Sequence, residues 1–218
     1  VAAEYLAGIK KEVGKQEEMP AKATADKMLE IWGDAEVSEG VKKDIPSMMA
    51  KIAGSKVDMA AVAGIEGLAK LGGDDSAKAL MKVLGKAMKA KEPSVQIYSA
   101  CLKAIGEVAS QDAKVVKELT KLLKHKNYDV VGKAAQALAG YKDAPGKLRK
   151  ELLEEVIKQS EGVYNAAQNN DQNMKRKWNI VQTGIMKALK ALSGQSFSNP
   201  ADARSWYNDN KKNRDLWK

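Results

Sequence analysis

Apolar residues recur at intervals of three and four along most of the chain, which is the period of an amphipathic α-helix. The clearest stripes are Tyr5, Ile9 and Val13; Val62, Ile65, Leu68 and Leu71; Ile97, Cys101, Ile105 and Val108; and Val130, Ala134, Leu138 and Tyr141. Two longer stripes, over 148–167 and 178–192, predict a pair of long helices joined by a short connection. No segment shows the strict alternation of a half-buried strand, so the pattern predicts an all-α fold.

Proline and glycine positions divide this pattern into helices. Each proline fits a helix start or an interhelical turn, where a missing N–H is tolerated: Pro20, Pro46, Pro93, Pro145 and Pro200. Gly72, Gly106 and Gly140 follow apolar stripes at a spacing of 34 residues, and we expect each of them to cap a helix. That spacing predicts a repeated helix–turn–helix unit, which buries its apolar faces by stacking against copies of itself.

The repeated unit resembles a HEAT repeat, of the short type found in phycobilisome-lyase-like proteins. The resemblance lies in residues 92–106 and 127–140, where Val95 and Val130 follow a polar turn and precede small residues such as Ala100 and Ala134. It implies a right-handed α-solenoid of about five HEAT-like hairpins, or about 10–11 helices. The whole of 1–218 would then be one armadillo-like domain, with divergent repeats over 1–56, the best-matched repeats over 57–168, and a last hairpin partner and cap over 169–218.

The C-terminal 27 residues, from Leu192, resemble a tail that closes some uncharacterised bacterial HEAT proteins. The matching positions are Gly194, Phe197 and Trp206, and the resemblance implies a cap. We expect Trp206 and Trp217 to cover the apolar end of the last hairpin, as terminal repeats require. An aromatic binding platform is the alternative interpretation of the same residues.

Charge is distributed unevenly. Residues 1–40 carry 5 basic and 9 acidic residues, whereas 41–218 carry 32 and 19. The positive charge is densest near the C-terminus, where Lys175, Arg176 and Lys177 are consecutive. A basic field attracts anionic partners such as nucleic acid. However, only 4 of the 37 basic residues are arginine, and lysines scattered over helix surfaces commonly serve solubility.

Residues for catalysis or metal binding are scarce. The chain has one cysteine, Cys101, which falls on an apolar stripe, and one histidine, His125, which falls at a predicted helix end. Neither a metal-ligand cluster nor a phosphate-binding glycine loop is present in the sequence. We therefore expect no catalytic residue, no cofactor and no metal site. The sequence also contains no apolar run of the roughly 20 residues that would span a membrane.

The favoured functional hypothesis is a non-enzymatic scaffold that binds a protein partner on the concave wall of the solenoid. If the second helix of each unit lines that wall, the exposed positions are Gln96, Lys103, Lys133 and Gln136. The alternative is a nucleic-acid-binding HEAT module that uses the Lys-rich C-terminal surface, including Lys175, Arg176 and Lys177. A third class, a relative of the pigment lyases, is implied only by the type of repeat.

The compartment is left open by the sequence. The first residue is Val1, and an Ala-rich start fits either a protein exported after removal of a signal peptide, as to a bacterial periplasm, or a trimmed cytoplasmic chain. A lone cysteine is compatible with both.

Overall fold

A computed structural model describes residues 1–12, 21–169 and 171–218, and this part of the chain folds into α-helices and short 3₁₀ turns without any strand. The prediction of an all-α fold is therefore confirmed for the described residues. They gather into two compact units, 1–110 and 111–218. The arrangement of a solenoid over the whole chain stays a prediction.

The first unit is built around one central helix. Its helices are α1 (Ala2–Glu12), α2 (Ala21–Gly33), α3 (Glu39–Lys42), α4 (Ile45–Ala53), α5 (Asp58–Leu71), α6 (Gly73–Lys89) and α7 (Val95–Val108). Helix α5 packs against α2, α4, α6 and α7. The predicted stripe on α5 supplies Ile65 and Leu68, which are fully buried, as are Met28 on α2 and Ile45 on α4.

Two side-chain hydrogen bonds in this unit join residues that are 36 positions apart. The hydroxyl of Ser94, the N-cap of α7, donates to Asp58 at the start of α5 over 2.7 Å. The hydroxyl of Ser110, just after α7, donates to Asp74 in the first turn of α6 over 2.6 Å. The same polar link therefore occurs twice at one sequence interval.

The second unit contains the predicted pair of long helices. Its helices are α8 (Ala113–Lys121), α9 (Tyr128–Leu138), α10 (Gly146–Gln168), α11 (Gln172–Ser193) and α12 (Pro200–Asn210). The stripes over 148–167 and 178–192 fall inside α10 and α11, which pack against each other as a hairpin. Helix α9 packs on α11 and helix α12 packs on α10, so the hairpin forms the centre of the unit.

The expectation that three evenly spaced glycines cap helices is wrong for Gly106, and Gly140 follows α9 without the left-handed conformation of a cap. Gly72 does follow α5 with a positive φ of 68°. Gly106, however, is buried inside α7, which continues to Val108, and the left-handed cap is Ala109 with φ 46°. Gly140 lies within the 3₁₀ turn Ala139–Asp143 and has no positive φ. Helix α7 continues past its glycine, so glycine spacing alone does not mark helix ends.

The proline predictions agree with the structure where it describes them. Pro46 and Pro200 lie in the first turns of α4 and α12, and Pro145 is the N-cap of α10. Pro93 precedes the N-cap of α7 by one residue. Pro20 and Val13 lie outside the described residues.

Candidate functional site

The excess positive charge of the chain belongs to the second unit. Residues 1–110 carry 16 basic and 16 acidic residues, so their formal net charge is zero. Residues 111–218 carry 21 basic and 12 acidic residues, which accounts for the entire net charge of +9. The boundary between neutral and positively charged residues thus coincides with the boundary between the two compact units, after Ser110. The sequence had suggested a charge boundary at residue 40.

The C-terminal segment folds back onto the first turn of α10. A Cβ atom at Gly146 would lie 1.9 Å from the carbonyl oxygen of Trp217, so only glycine permits this approach. Arg149 donates to the main-chain oxygens of Leu216 and Lys218, at 3.2 and 3.4 Å. The indole N–H of Trp217 donates to the carbonyl of Asn210 over 3.0 Å, which ties the segment to the end of α12.

The aromatic residues predicted to form a cap lie together in this region. Ring centroids are 5.7 Å apart for Phe197 and Trp206, and 6.2 Å apart for Trp206 and Trp217. The Arg149 guanidinium lies 5.9 Å from the centre of the Trp217 ring. Edge and tilted contacts of this kind add to ordinary apolar burial. Gly194 ends α11 in the left-handed conformation, with φ 76°, and turns the chain toward these residues.

Two polar contacts fix α12 on α10. Arg204 forms a forked pair with Glu161, with nitrogen–oxygen distances of 2.7 to 3.1 Å, and this pairing raises the pKa of the guanidinium. The phenol of Tyr207 donates to Glu154 over 2.8 Å. Burial of Tyr207, together with its bond to Glu154, raises its pKa to about 12. The neutral phenol is therefore the form that the fold favours.

A cationic pocket of about 290 Å³ lies between the start of α10 and the folded-back segment. We call it the basic pocket, and it is lined by Lys147, Lys150, Lys211, Lys212, Asn213, Arg214 and Trp217. Two of its cations come from α10 and three from the segment after α12, some 60 positions further along the chain. The sequence did not predict this site, because the two groups of cations are far apart in the chain and only the fold brings them together.

The electrostatics of the basic pocket are unbalanced. Lys147 lies in the first turn of α10, and Lys150 comes directly after that turn. The first turn contains no acidic residue, and the N-cap of α10 makes no side-chain hydrogen bond. Cations are disfavoured at this end of a helix because the macrodipole is positive there. Within the described residues, no ion pair involves any of the five cations of the pocket. An anion placed in the pocket would relieve this repulsion.

A second cationic group, which we call the tip cluster, consists of Lys175, Arg176 and Lys177 at the start of α11. The ammonium of Lys177 lies 5.1 Å from the centre of the Tyr128 ring. The next residue, Trp178, makes an edge contact with Tyr164 at a centroid distance of 5.1 Å. In the sequence, Trp178 is the aromatic residue that adjoins these cations, and the fold adds the Tyr128 and Tyr164 rings beside them.

The two cationic groups lie at opposite ends of the α10–α11 hairpin. The basic pocket is at the start of α10, and the tip cluster is near the start of α11, beside the last turns of α10. A helix of 23 residues is about 34 Å long at 1.5 Å per residue, so the two groups are about 30 Å apart.

His125 lines a different pocket of about 270 Å³ in the same unit, with an apolar floor that includes Val156 and Val181. Its Nδ1 atom accepts a hydrogen bond from the main-chain N–H of Asn127 over 3.1 Å. Ser160 also lines the pocket, but its hydroxyl donates to the carbonyl of Ile157 over 2.9 Å. No aspartate or glutamate lines this pocket, so it does not assemble a catalytic triad.

Cys101 is fully buried in α7, and burial raises the pKa of its thiol to about 12, as befits a core residue and not a nucleophile. Among the described residues, no group of three or more histidine, cysteine, aspartate or glutamate side chains could hold a metal ion. None of the described helices is both long enough and apolar enough to cross a membrane.

The four positions predicted on the concave wall fall in different units. Gln96 and Lys103 lie on α7 of the first unit, both exposed, and Lys103 pairs with Glu107 at 3.6 Å. Lys133 and Gln136 lie on α9 of the second unit. Each pair occupies one helix face, but a wall shared by all four stays a prediction.

Comparisons with protein-family models, with curated proteins and with solved structures give no match for this chain. The resemblance to HEAT repeats therefore stays a prediction, and the geometry of the second unit is the basis for assigning a function.

Proposed function

We propose that the protein is a non-enzymatic nucleic-acid-binding module whose second unit holds the phosphate backbone. The observation that carries this proposal is that the whole net charge of +9 resides in residues 111–218. A duplex carries one negative charge per 1.7 Å of its axis, so a concentrated cationic surface gains affinity by releasing condensed counterions.

The placement of the cations supports nucleic acid over a small anion. The basic pocket and the tip cluster are separated by most of the length of α10, which matches an extended polyanion better than a compact one. Lysine serves as a point-charge partner of phosphate, so the scarcity of arginine argues against base readout and not against backbone contact. Binding with little sequence preference is the expected behaviour.

A HEAT-like arrangement of the helices remains part of this proposal. The repeated hydrogen bonds from Ser94 to Asp58 and from Ser110 to Asp74 support it, because their common interval of 36 residues is close to the predicted period. In a repeat architecture a cationic unit can present its charges along an extended surface.

Binding of a protein partner is the second candidate function, and a feature of the first unit favours it. Val57, Met59 and Val95 are 57%, 80% and 60% exposed at the starts of α5 and α7. The hydrogen bond between Ser94 and Asp58 joins these two helix starts. Apolar side chains exposed close together on a unit of zero net charge suit contact with another protein.

Binding to generic duplex across a salt series tests the first proposal. The intact chain should bind at low salt, and the logarithm of its affinity should fall linearly with the logarithm of salt concentration. The triple variant Lys175→Gln, Arg176→Gln and Lys177→Gln should reduce that slope by roughly 2–3, because each lost phosphate contact removes about 0.9.

The matched control removes three exposed lysines from α6 in the first unit, as Lys82→Gln, Lys86→Gln and Lys89→Gln. Both triple variants lower the net charge equally, so the control should keep the parental slope. Absence of binding at low salt, or equal losses in the two variants, would exclude a nucleic-acid site on the second unit.

A further inference from the structure

The basic pocket is a concave cationic site built from two segments that are distant in the sequence. The helical segment contributes Lys147 and Lys150, and the folded-back segment contributes Lys211, Lys212 and Arg214. The backbone contact between Gly146 and Trp217 fixes one segment against the other. A surface lysine cluster that serves solubility has no need of such a scaffold.

The pocket holds more charge than an internal phosphodiester requires. An internal phosphodiester carries a single negative charge, whereas the pocket offers five cations around about 290 Å³. A phosphate monoester carries −1.5 to −2 near neutral pH and presents three strong acceptor oxygens. The positive end of the α10 dipole adds to the same field.

We infer that the basic pocket binds a phosphate monoester or pyrophosphate group, such as the terminal phosphate of a nucleic-acid strand. This inference rests in part on the proposed function, which supplies the strand. The lysines and Arg214 bind the phosphate oxygens, and Trp217 lines the pocket beside them. The remaining phosphates of the strand extend away from the pocket over the cationic surface.

The test compares a short single-stranded oligonucleotide with a 5′-phosphate against the same strand with a 5′-hydroxyl, and it titrates inorganic pyrophosphate as a separate probe. The full chain should prefer the phosphorylated strand by roughly tenfold or more, as expected for charge-assisted contacts that only the terminal phosphate makes. Lys147→Gln with Lys150→Gln should abolish this preference. Pyrophosphate should compete with the phosphorylated strand more strongly than with the hydroxyl strand.

Two further variants test whether the preference for the 5′-phosphate depends on the basic pocket or on the overall positive charge of the second unit. Lys187→Gln with Lys190→Gln removes two exposed cations from α11 outside the pocket, and it should keep the preference. Gly146→Ala keeps every charge but places a methyl group against the Trp217 backbone, so it should displace the segment and lose the preference. Its far-UV circular dichroism should stay helical; if it unfolds, the two lysine pairs decide the result.

The outcomes separate this inference from the proposed function. If both strands bind equally and pyrophosphate does not bind, the inference that the pocket binds a terminal phosphate is wrong, whereas the proposal of nucleic-acid binding stands. Pyrophosphate binding that needs Lys147 and Lys150, without binding of either strand, would retain the pocket for a free diphosphate compound and overturn the proposed function. If the α11 control variant also loses the preference for the phosphorylated strand, the preference comes from the overall positive charge and not from the basic pocket.

Discussion

Individual residues of the second unit show how single contacts position its cationic surface. Tyr207 is buried, and its phenol bonds Glu154 on α10, next to the forked pair of Arg204 and Glu161. These contacts hold α12 against α10, and the segment that completes the basic pocket starts where α12 ends. The orientation of α12 therefore determines where Lys211, Lys212 and Arg214 can lie.

Replacing Tyr207 by phenylalanine keeps the buried ring and removes one hydrogen bond. We expect a loss of about 1 kcal/mol in the free energy of unfolding at neutral pH, measured by urea denaturation. The pKa of the phenol is 10.0 in its ordinary state and about 12 in the fold, so the fold favours the protonated form. Its contribution is complete below pH 10 and declines as the pH rises toward 12.

The parent should therefore lose more stability than Tyr207→Phe between these pH values, and the gap between the two proteins should narrow. Lysines also titrate in this range, but they do so in both proteins and cancel in the comparison. A gap that stays constant from pH 8 to pH 12 would contradict the raised pKa of Tyr207.

Helices α9 and α11 approach each other closely at a pair of glycines. A Cβ atom at Gly184 would lie 2.0 Å from the carbonyl oxygen of Gly132, and one at Gly132 would lie 3.2 Å from the carbonyl oxygen of Ile180. Because main-chain atoms cannot move aside as a flexible side chain can, a methyl group here must separate the helices. The close approach buries Val181, which is fully inaccessible to solvent.

We expect Gly184→Ala to destabilise the second unit by about 1–3 kcal/mol, the range typical of overpacking. Gly162→Ala is the matched control, because Gly162 lies inside α10 and a methyl group there would have no neighbouring atom within 4 Å. Alanine at this position should stabilise the protein by about 0.5–1 kcal/mol through its better helix propensity. Urea denaturation measures both, and equal effects in the two variants would contradict a close contact between α9 and α11.

The element scale also shows what the sequence could predict. Apolar periodicity located α10 and α11 because a long amphipathic helix has the same pattern wherever it packs. Gly106 misled the assignment because a glycine inside a helix and a glycine after it look alike in sequence. The basic pocket could not be predicted, since Lys147 and Lys211 meet only through the packing of α12 and the backbone contact at Gly146.

At the scale of the whole molecule, charge and compactness divide the chain at the same place. The first unit is electrically neutral and exposes apolar side chains, whereas the second carries all of the excess positive charge. The sequence showed an excess of basic residues over 41–218 and thus a boundary at residue 40, because composition alone does not show which residues fold together. We therefore expect the two units to bind different partners.

The separation of the two cationic groups predicts a dependence of affinity on nucleic-acid length. They lie about 30 Å apart, and successive phosphates of one strand advance by 3.4 Å, so roughly nine base pairs connect them. Duplexes of about 6 base pairs can reach one group only, whereas those of about 14 can reach both. We therefore expect affinity and salt slope to rise together between these lengths, measured by fluorescence anisotropy.

The triple variant of the tip cluster isolates the cause of this rise. With Lys175, Arg176 and Lys177 replaced by glutamine, the parental step between about 6 and 14 base pairs should disappear, because only the basic pocket remains. For the shortest duplex, the affinities of the parent and the variant should be similar. For the longest duplex, the two affinities should differ more. A step of unchanged size in the variant would mean that the two ends of the α10–α11 hairpin do not act on one strand, and that the positive charge of the second unit serves separate ligands.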